Sequence, residues 1–428
     1  MALFIIHTTT LFSPLTKSLL HNASLIIDPT TGLITDTYTR PSPSFPTPLP
    51  EGDIDLTGKF VMPGLVDAHT HIFLHSYDEN PALPQKRDES FVERVIRSVS
   101  HCRTALLAGY TTYRDLGSES MQEADANVRD AINRGLMPGP RLFVATRVLA
   151  SSGSYEPRTE NAIGGTCLPA GAEVADGVEG VRAAVRRRVG HGADVVKVFA
   201  DYRRRIMRCP PAQQHPYVPS VLFPPREPNP DYCVYSQEEL DMVVREAGMA
   251  GAPVSAHACT LEGAMRAVKA GVTTVEHGYF VSGELLALMK EKGCILVPTL
   301  AIAEKLHARR FGEIMAQVKM AWETGVRLAC GGDTGTYPHG ENVRELELMI
   351  ETGIPVLDVL EACTVGGWKA CGGELSGYRF GWLEEGCKAD IIALDEMPAV
   401  GNSALRKVDF VMKDARVWKR DGVPVGIV

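Results

Sequence analysis

The stretch LVDAHTH at residues 65–71 is a short apolar run that ends on two histidines, and it begins the pattern that decides the fold. Seven similar runs follow it, at residues 111–117, 141–147, 194–200, 253–258, 273–278, 295–300 and 327–333. The segments between them carry helix signals, such as the capping box that opens at Ser236 and the glycines that close LEGAMRAVKAG and ELLALMKEKG. Eight strands alternating with helices predict an α/β fold, a (β/α)8 TIM-like barrel. A doubly wound sheet would show the same alternation, but the strand count favours the barrel.

The two ends of the chain lack the alternation of strands and helices that marks the barrel region. Residues 1–62 contain short strand-like runs and the Pro-rich segment 41–50, which cannot join a central strand. Residues 376–428 return to strand-like runs such as ADIIALD and KVDFVMKD. We therefore predict that 1–62 and 376–428 pair into one small β-sandwich domain, beside a barrel that spans 63–375.

Composition argues against several classes of function. The net charge is −8 and the pI is near 5.9, so neither a nucleic-acid groove nor a basic membrane face is indicated. The sequence has no run of the roughly 20 apolar residues that span a membrane, and its apolar start lacks the basic flank of a signal peptide. The ten cysteines form no CxxC pair, which is typical of reduced thiols in a cytoplasmic protein.

Polar residues stand inside or at the ends of the predicted strands. The carboxyl ends of parallel barrel strands share one face, and active sites form there. Six residues would meet at this face: His69, His71, Lys197, His257, His277 and Asp333. A His-x-His pair points both imidazoles to one side of a strand, where they can hold one metal ion. One such pair arises easily by chance among 12 histidines, but the full ordered set indicates a metal centre.

Lys197 is unusual because it lies within an apolar run, DVVKVFA at 194–200. A buried ammonium group is costly, and burial lowers its pKa. One interpretation is an ion pair with a carboxylate such as Asp333. The other is a neutral amine that has added CO2 to form a carbamate, whose two oxygens can bridge two cations. Spacing alone does not distinguish the two interpretations.

Taken together, the string VMPGLVDAHTH at 61–71, the lysine in VVKVFA, the histidines in SAHA and VEHG, and the aspartate in GGDTG resemble the metal-dependent amidohydrolase superfamily. Within it, the chain is similar to the branch of imidazolonepropionase-like amidohydrolases, Xaa-Pro dipeptidases and ochratoxinase. The shared phrases include TTYRDLG, ADGVEGVRAAVRRRV and GWLEEGCKADIIALDEMP. The resemblance covers nearly the whole chain, and its motifs are specific for the superfamily but much less so for the substrate.

The resemblance implies a centre with two divalent metal ions. The two histidines of the HTH pair would bind the more buried ion together with Asp333, and His257 and His277 would bind the second. Carboxylated Lys197 would bridge the two ions. Zn²⁺ suits histidine and carboxylate ligands with open positions best. The ions would activate a hydroxide nucleophile, with Asp333 as its general base.

Three further residues each have two possible roles. The resemblance implies that Tyr235 hydrogen-bonds the developing oxyanion or the substrate carboxylate, but Tyr235 could equally pack against the helix entry. Arg114 would face the substrate or pair with Asp115, and the structural role is favoured. His339 would line the mouth of the barrel or, as favoured here, lie in a solvated loop.

Two departures from the branch affect the expected substrate site. Relatives carry a Gly-His-Gly after the third strand, whereas here Tyr155 takes the place of the histidine. Relatives follow the lysine strand with a Ser-Gly-Gly turn, whereas this chain has Ala200–Arg205, which includes Tyr202. These side chains would fill the space near an acidic or unusually shaped substrate, or the arginines would simply face solvent.

The sequence therefore predicts a binuclear amidohydrolase that cleaves an amide bond of an N-acyl amino acid or dipeptide, such as an ochratoxin-like amide. A cyclic amide or lactone hydrolase is the alternative, because the same metal pair serves both reactions. A metal-dependent decarboxylase and a non-catalytic scaffold are weaker alternatives, since a scaffold tends to lose metal ligands. The expected partners are a small-molecule substrate and, from the family, further copies of the chain in a homo-oligomer, with neither nucleic acid nor membrane.

Overall fold

The alternating segments close into a barrel in the computed structural model, which describes residues 2–42, 45, 48–154, 170–203, 213–214, 217–218, 222–223 and 231–426. Its parallel strands are Leu65–Thr70, Tyr110–Asp115, Arg141–Val144 continued by Val148–Ala150, Val196–Phe199, Val254–Ala258, Thr274–His277 and Ile295–Val297. The third strand is in two pieces because Thr146 between them takes a left-handed backbone conformation, with φ of 58°. The first piece pairs with the second barrel strand and the later piece with the fourth.

The eighth predicted strand, residues 327–333, closes the barrel without forming a regular strand. Bridges join Leu296 to Leu328 and Thr70 to Thr334, so the segment lies between the seventh and first strands. Gly331 explains the close approach, because an added Cβ would lie 2.6 Å from the backbone nitrogen of His69. The barrel expected from the alternation is confirmed, and the glycines turn its last strand into a tight seam.

Helices cover the barrel in the order that the sequence predicts. In the described chain they are Ala82–Asp88, Phe91–Leu107, Ala124–Asn133, Gly177–Gly190, Gln237–Met249, Leu261–Ala270, Gly283–Lys292, Leu300–Leu306, Phe311–Thr324, Val343–Glu351, Val356–Glu361 and Gly367–Ala370. A π-helical turn spans Ala362–Gly366, and short 3-10 turns span Gly373–Ser376 and Ala404–Arg406. The capping box at Ser236 is confirmed, since its hydroxyl accepts from the Glu239 amide while the Glu239 carboxylate accepts from the Ser236 amide.

Strands from both ends of the chain form a separate sheet beside the barrel. They are Phe4–Ser13, Ser18–His21, Ala23–Asp28, Leu33–Thr39, Ile54–Pro63, Ile391–Leu394, Val408–Lys413, Arg416–Arg420 and Val423–Pro424. The C-terminal strand Ile391–Leu394 runs antiparallel to Ile54–Pro63, which leads through Gly64 into the first barrel strand. A second apolar core, including Ile6, Leu25 and Phe410, fills this sheet. The predicted fold class, a barrel with a small β domain built from both termini, is confirmed.

Shorter strands border the mouth of the barrel. Ala172–Val174 pairs with Val148–Ala150, and Asp201–Arg203 pairs with Asp231–Cys233 in an antiparallel ribbon. Gln213–Gln214 pairs with Leu222–Phe223. In the described residues, no helix has the length and apolar character needed to cross a membrane.

Candidate metal centre

The predicted metal ligands gather at one face of the barrel. The ring of His277 lies 5.2 Å from that of His69 and 4.5 Å from that of His257, measured between centroids. Asp333 Oδ1 lies 3.2 Å from His71 Nε2 and 3.6 Å from His69 Nε2. One ligand atom from each of His69, His277 and Asp333 falls within 4.8 Å of the others. Side chains from the first, fifth and sixth strands and the closing seam thus converge, as the strand-end pattern predicted.

Backbone strain accompanies this convergence. His277, Thr299 and Asp333 have φ values of 71°, 50° and 64°. These values lie in the left-handed region, which residues other than glycine seldom adopt. Such conformations cost of order 1–3 kcal/mol each and persist only where the surroundings impose them. All three residues lie where a strand gives way to a loop at the carboxyl face, so the strain turns their side chains toward a common centre.

The protonation states of these groups suit metal binding. Burial lowers the pKa of His69 to about 4 and that of His277 to about 3, so both imidazoles are neutral at pH 7. Although burial alone would raise it, the nearby histidines hold the pKa of Asp333 well below its usual range. Neutral imidazole and ionised carboxylate are the forms that ligate divalent ions.

His71 differs from the other histidines. Burial alone would lower its pKa, but the carboxylates of Asp333 and Glu119 outweigh that effect and raise the pKa of His71 to about 9. The imidazole therefore holds a proton between itself and Asp333 at neutral pH. A divalent cation would compete for the same position, because a bound ion reverses the local balance of charge.

Lys197 lies buried among these groups on the fourth strand, next to the strand of His257. Its Nζ has no hydrogen-bond partner in the described part of the chain. Burial lowers the pKa of Lys197 to about 8, against the opposing attraction of the Glu276 carboxylate. An unpartnered buried amine beside neutral imidazoles and an ionised aspartate is a donor set that fits divalent metal ions.

Partners on the outer side of the histidine rings contact the Nδ1 atoms. His69 Nδ1 donates to Glu276 Oε2 at 2.8 Å, and His71 Nδ1 contacts the Gly117 carbonyl oxygen at 3.1 Å. His277 Nδ1 lies 2.8 Å from Thr299 Oγ1. These contacts orient the rings and direct Nε2 of both His69 and His71 toward Asp333.

The geometry agrees with comparisons to known proteins. The sequence model of the amidohydrolase family matches residues 60–423. The chain belongs to the amidohydrolase family. It is 31% identical to ochratoxinase of Aspergillus niger over 409 residues, which cover 85% of this chain and 76% of that protein. It is 23% identical to imidazolonepropionase of Clostridium tetani, over 85% of this chain and 83% of that one.

The crystal structure of a Xaa-Pro dipeptidase with bound methionine in its active site has the same fold as this amidohydrolase. The TM-score is 0.80 at 30% identity, over 98% of this chain and 100% of the other. The branch expected from the sequence is confirmed. The amidohydrolase is accordingly a hydrolase that acts on carbon–nitrogen bonds.

Arg114 has a structural role, which the sequence favoured, but its partner is not Asp115. It is fully buried inside the barrel of this amidohydrolase and donates to Glu276 Oε1 at 2.8 Å and to the Ala68 carbonyl oxygen at 2.6 Å. Neither the substrate-facing position nor the pairing with Asp115 is therefore correct. Side chains alternate along a strand, so Arg114 points into the barrel core, where the sixth strand supplies the buried carboxylate of Glu276.

Glu276 was missed by the sequence analysis. A carboxylate in the middle of the buried strand Thr274–His277 was the available signal, because a charged side chain at such a position needs a partner. Its partners, Arg114 and His69, lie 162 and 207 residues away in sequence, so no local pattern could reveal them.

Tyr235 and His339 also lie differently from the catalytic or mouth positions considered for them. The Tyr235 hydroxyl donates to the Ala175 carbonyl oxygen at 2.9 Å, and its ring belongs to the main apolar core. This arrangement corresponds to the packing alternative at the helix entry. The expectation of a solvated loop for His339 is wrong, because the residue is buried, stacks on His101 at 4.2 Å and contacts the Leu74 carbonyl oxygen at 3.2 Å.

Tyr202 lies close to His257, one of the predicted metal ligands. Its ring is half-buried, 6.2 Å from the ring of His257, on the ribbon strand Asp201–Arg203. Asp201 is buried and accepts hydrogen bonds from the amides of Cys259 and Thr260, which fixes the ribbon to the end of the fifth strand. Tyr155, the other expected substrate contact, lies outside the described residues.

Proposed function

We propose that this amidohydrolase uses two divalent metal ions, most suitably Zn²⁺, to hydrolyse the amide bond of an N-acyl amino acid or dipeptide-like substrate. The observation that carries the proposal is Lys197, a buried amine without a hydrogen-bond partner in the described chain, set among histidines and an aspartate at one face of a barrel. A structural lysine at such depth would be expected to form an ion pair.

Under this proposal, Lys197 would carry a carbamate that supplies anionic oxygen ligands to the metal centre. The neutral amine adds CO2, a nitrogen–carbon bond forms, and the displaced proton leaves to solvent. A lysine whose pKa burial has lowered to about 8 has a substantial neutral fraction near pH 8, and only that fraction reacts with CO2. The HTH pair and Asp333 would hold one ion, while His257 and His277 would hold the other.

The ions would supply Lewis-acid activation of water and of the scissile carbonyl group. Asp333 would accept the proton of the attacking water at its carboxylate and return it to the nitrogen of the leaving amine. The histidines around it keep the Asp333 pKa well below its usual range, so the carboxylate is ready to accept at neutral pH. Tyr202, beside His257, would contact the part of the substrate next to the scissile bond.

The substrate class rests on two relatives, a Xaa-Pro dipeptidase and ochratoxinase. An N-acyl amino acid such as an ochratoxin-like amide combines the features of both, because it has an amide bond and a carboxylate on the leaving amine. The ribbon places the ring of Tyr202 6.2 Å from that of His257, which supports a contact between this aromatic ring and the substrate.

The test combines metal content with turnover on the full-length protein reconstituted with zinc and bicarbonate. We expect about two zinc ions per chain, hydrolysis of at least one N-acyl amino acid or dipeptide, and loss of both properties in His69→Ala and Lys197→Ala. Arg203→Ala, an exposed change on the ribbon, is the matched control and should keep its metal. One ion retained in Lys197→Ala would reject the bridging carbamate, and turnover confined to lactones or cyclic amides would reject the linear amide.

A further inference from the structure

A buried carboxylate with a charged partner stands behind one metal-binding histidine. Glu276 is fully buried, and its Oε2 accepts the hydrogen bond from His69 Nδ1 at 2.8 Å. Its other oxygen, Oε1, accepts from Arg114 Nη2 at 2.8 Å, from Ser255 Oγ at 2.7 Å and from Thr274 Oγ1. These three donors come from the second, fifth and sixth barrel strands.

This arrangement determines which nitrogen of His69 carries the proton. Arg114 pairs with Oε1 of Glu276 at 2.8 Å, so Oε2 faces His69 as a hydrogen-bond acceptor. The nitrogen that faces it, Nδ1, must therefore be the one that bears hydrogen in the neutral ring. The lone pair is then left on Nε2, which lies 3.6 Å from Asp333 Oδ1 on the side of the metal centre.

Nδ1 of His71 is in weaker contact with a carboxylate than Nδ1 of His69 is. Its Nδ1 contacts the Gly117 carbonyl oxygen at 3.1 Å, and the nearest carboxylate oxygen, Glu119 Oε1, lies at 3.4 Å. The other oxygen of Glu119 is engaged by Lys86 at 2.5 Å. Removing the Glu119 charge leaves the backbone carbonyl in place, whereas removing the Glu276 charge leaves His69 Nδ1 without its acceptor.

We propose that Glu276, held by Arg114, is the positioning residue that fixes the tautomer and orientation of His69 for metal binding. The inference rests on the proposed function only in taking His69 as a metal ligand. A carboxylate behind a ligating histidine raises the basicity of the ligand as well as orienting it, and loss of such a partner typically lowers metal affinity 10–100-fold.

Glu276→Gln is the informative substitution. Three donors surround the position of Oε1, so the amide oxygen would face them and the amide NH2 would face His69 Nδ1. An NH2 group can only donate, so it would favour the tautomer with hydrogen on Nε2, which cannot ligate an ion there. The substitution is thus expected to be harmful although glutamine matches glutamate in size.

The experiment measures the full-length protein in two states. In the metal-free protein with ¹⁵N-labelled histidine, long-range ¹H–¹⁵N spectra report the tautomer of His69, assigned by its disappearance in His69→Gln. In the second state, zinc affinity is measured by competition with a chromogenic chelator. We expect Glu276→Gln to change the His69 tautomer and to weaken zinc binding at least about tenfold. Glu119→Gln, the matched control, should change zinc affinity less than Glu276→Gln does.

Glu276→Asp covers the case in which the Gln variant does not fold. Aspartate keeps a charge for Arg114 but withdraws it from His69, so zinc affinity should still fall while circular dichroism stays native. A folded variant with parental zinc affinity and an unchanged His69 tautomer would overturn the proposal, because a purely structural role of Glu276 moves neither signal. The tautomer is read without metal or substrate, so failure of the parent protein to hydrolyse amides would reject the proposed function and leave this inference standing.

Discussion

The floor and the rim of the site are built from different parts of the chain. The floor consists of the residues predicted as metal ligands: His69, His71, Lys197, His257, His277 and Asp333. The rim, as the sequence predicted it, consists of Tyr202, Tyr235 and His339 on segments that follow the strands, and we include in it the ribbon of Asp201–Arg203 and Asp231–Cys233 that carries Tyr202. Of the three predicted residues, Tyr202 lies beside His257, whereas Tyr235 and His339 are buried. The floor residues share one face of the barrel, whereas Tyr235 bonds to Ala175 and His339 stacks on His101. Strand hydrogen bonding fixes the direction of a floor side chain, but a loop can turn its side chain either way.

The largest difference between floor and rim should be seen in Asp333→Asn. The amide keeps the shape of the carboxylate but cannot accept and return a proton, which alone is worth about 10²–10⁴-fold in rate. We expect kcat on the best N-acyl amino acid to fall by at least that factor. The matched rim variant is Asp231→Asn on the ribbon, which should retain kcat within a few-fold. Comparable losses in both variants would remove the distinction between floor and rim.

The floor residues could be predicted from the sequence because they occur at regular positions in the strand pattern. A His-x-His pair and histidines at the ends of successive strands need only the two-residue repeat of a strand and the common face of a parallel barrel. The contact between His69 and Glu276 spans 207 residues and crosses the barrel interior, so it depends on strand order and register. The buried position of His339 depends on how two loops pack together, and no repeat in the sequence encodes that packing.

Substitutions in the Arg114–Glu276 pair, which lies beneath the floor, should cause the largest change in the free energy of unfolding. Arg114→Met leaves the Glu276 carboxylate buried without its charged partner, which typically destabilises a protein by about 3–5 kcal/mol. We expect a loss of that order in the free energy of unfolding from urea titration. Arg203→Met removes an exposed arginine from the rim and should change this free energy by less than about 0.5 kcal/mol. Equal and small losses would mean that the Arg114–Glu276 pair is replaceable by apolar packing.

Tyr235→Phe separates packing at the rim from catalysis. The substitution removes the hydrogen bond to the Ala175 carbonyl oxygen and should cost about 0.5–1.5 kcal/mol in the free energy of unfolding. If the hydroxyl stays on Ala175 during turnover, kcat and KM remain at the parental values. A fall in kcat without a change in KM would instead assign the hydroxyl to the transition state, and would move Tyr235 from the rim to the catalytic groups.

The smallest expected effect is on the pH dependence of stability, and it comes from a carboxyl group behind the floor. Glu345 is buried, its Oε2 accepts from the Ala301 amide at 2.8 Å, and burial raises its pKa from 4.5 to about 8. Between these two values the folded protein binds more protons than the unfolded chain, so stability falls as pH rises from about 4.5 to about 8. Glu345→Gln removes this ionisation and should remove that part of the pH dependence.

Thermal unfolding of metal-free protein at several pH values from 5 to 8 tests this expectation. The Tm of Glu345→Gln relative to the parent should rise steadily across the range, because only the parent is penalised by an ionising Glu345 as pH increases. Parallel curves for the two proteins would show that Glu345 titrates alike in the folded and unfolded states. The floor would then owe its charge balance to Asp333 and the histidines alone, with no contribution from the helix Val343–Glu351 behind it.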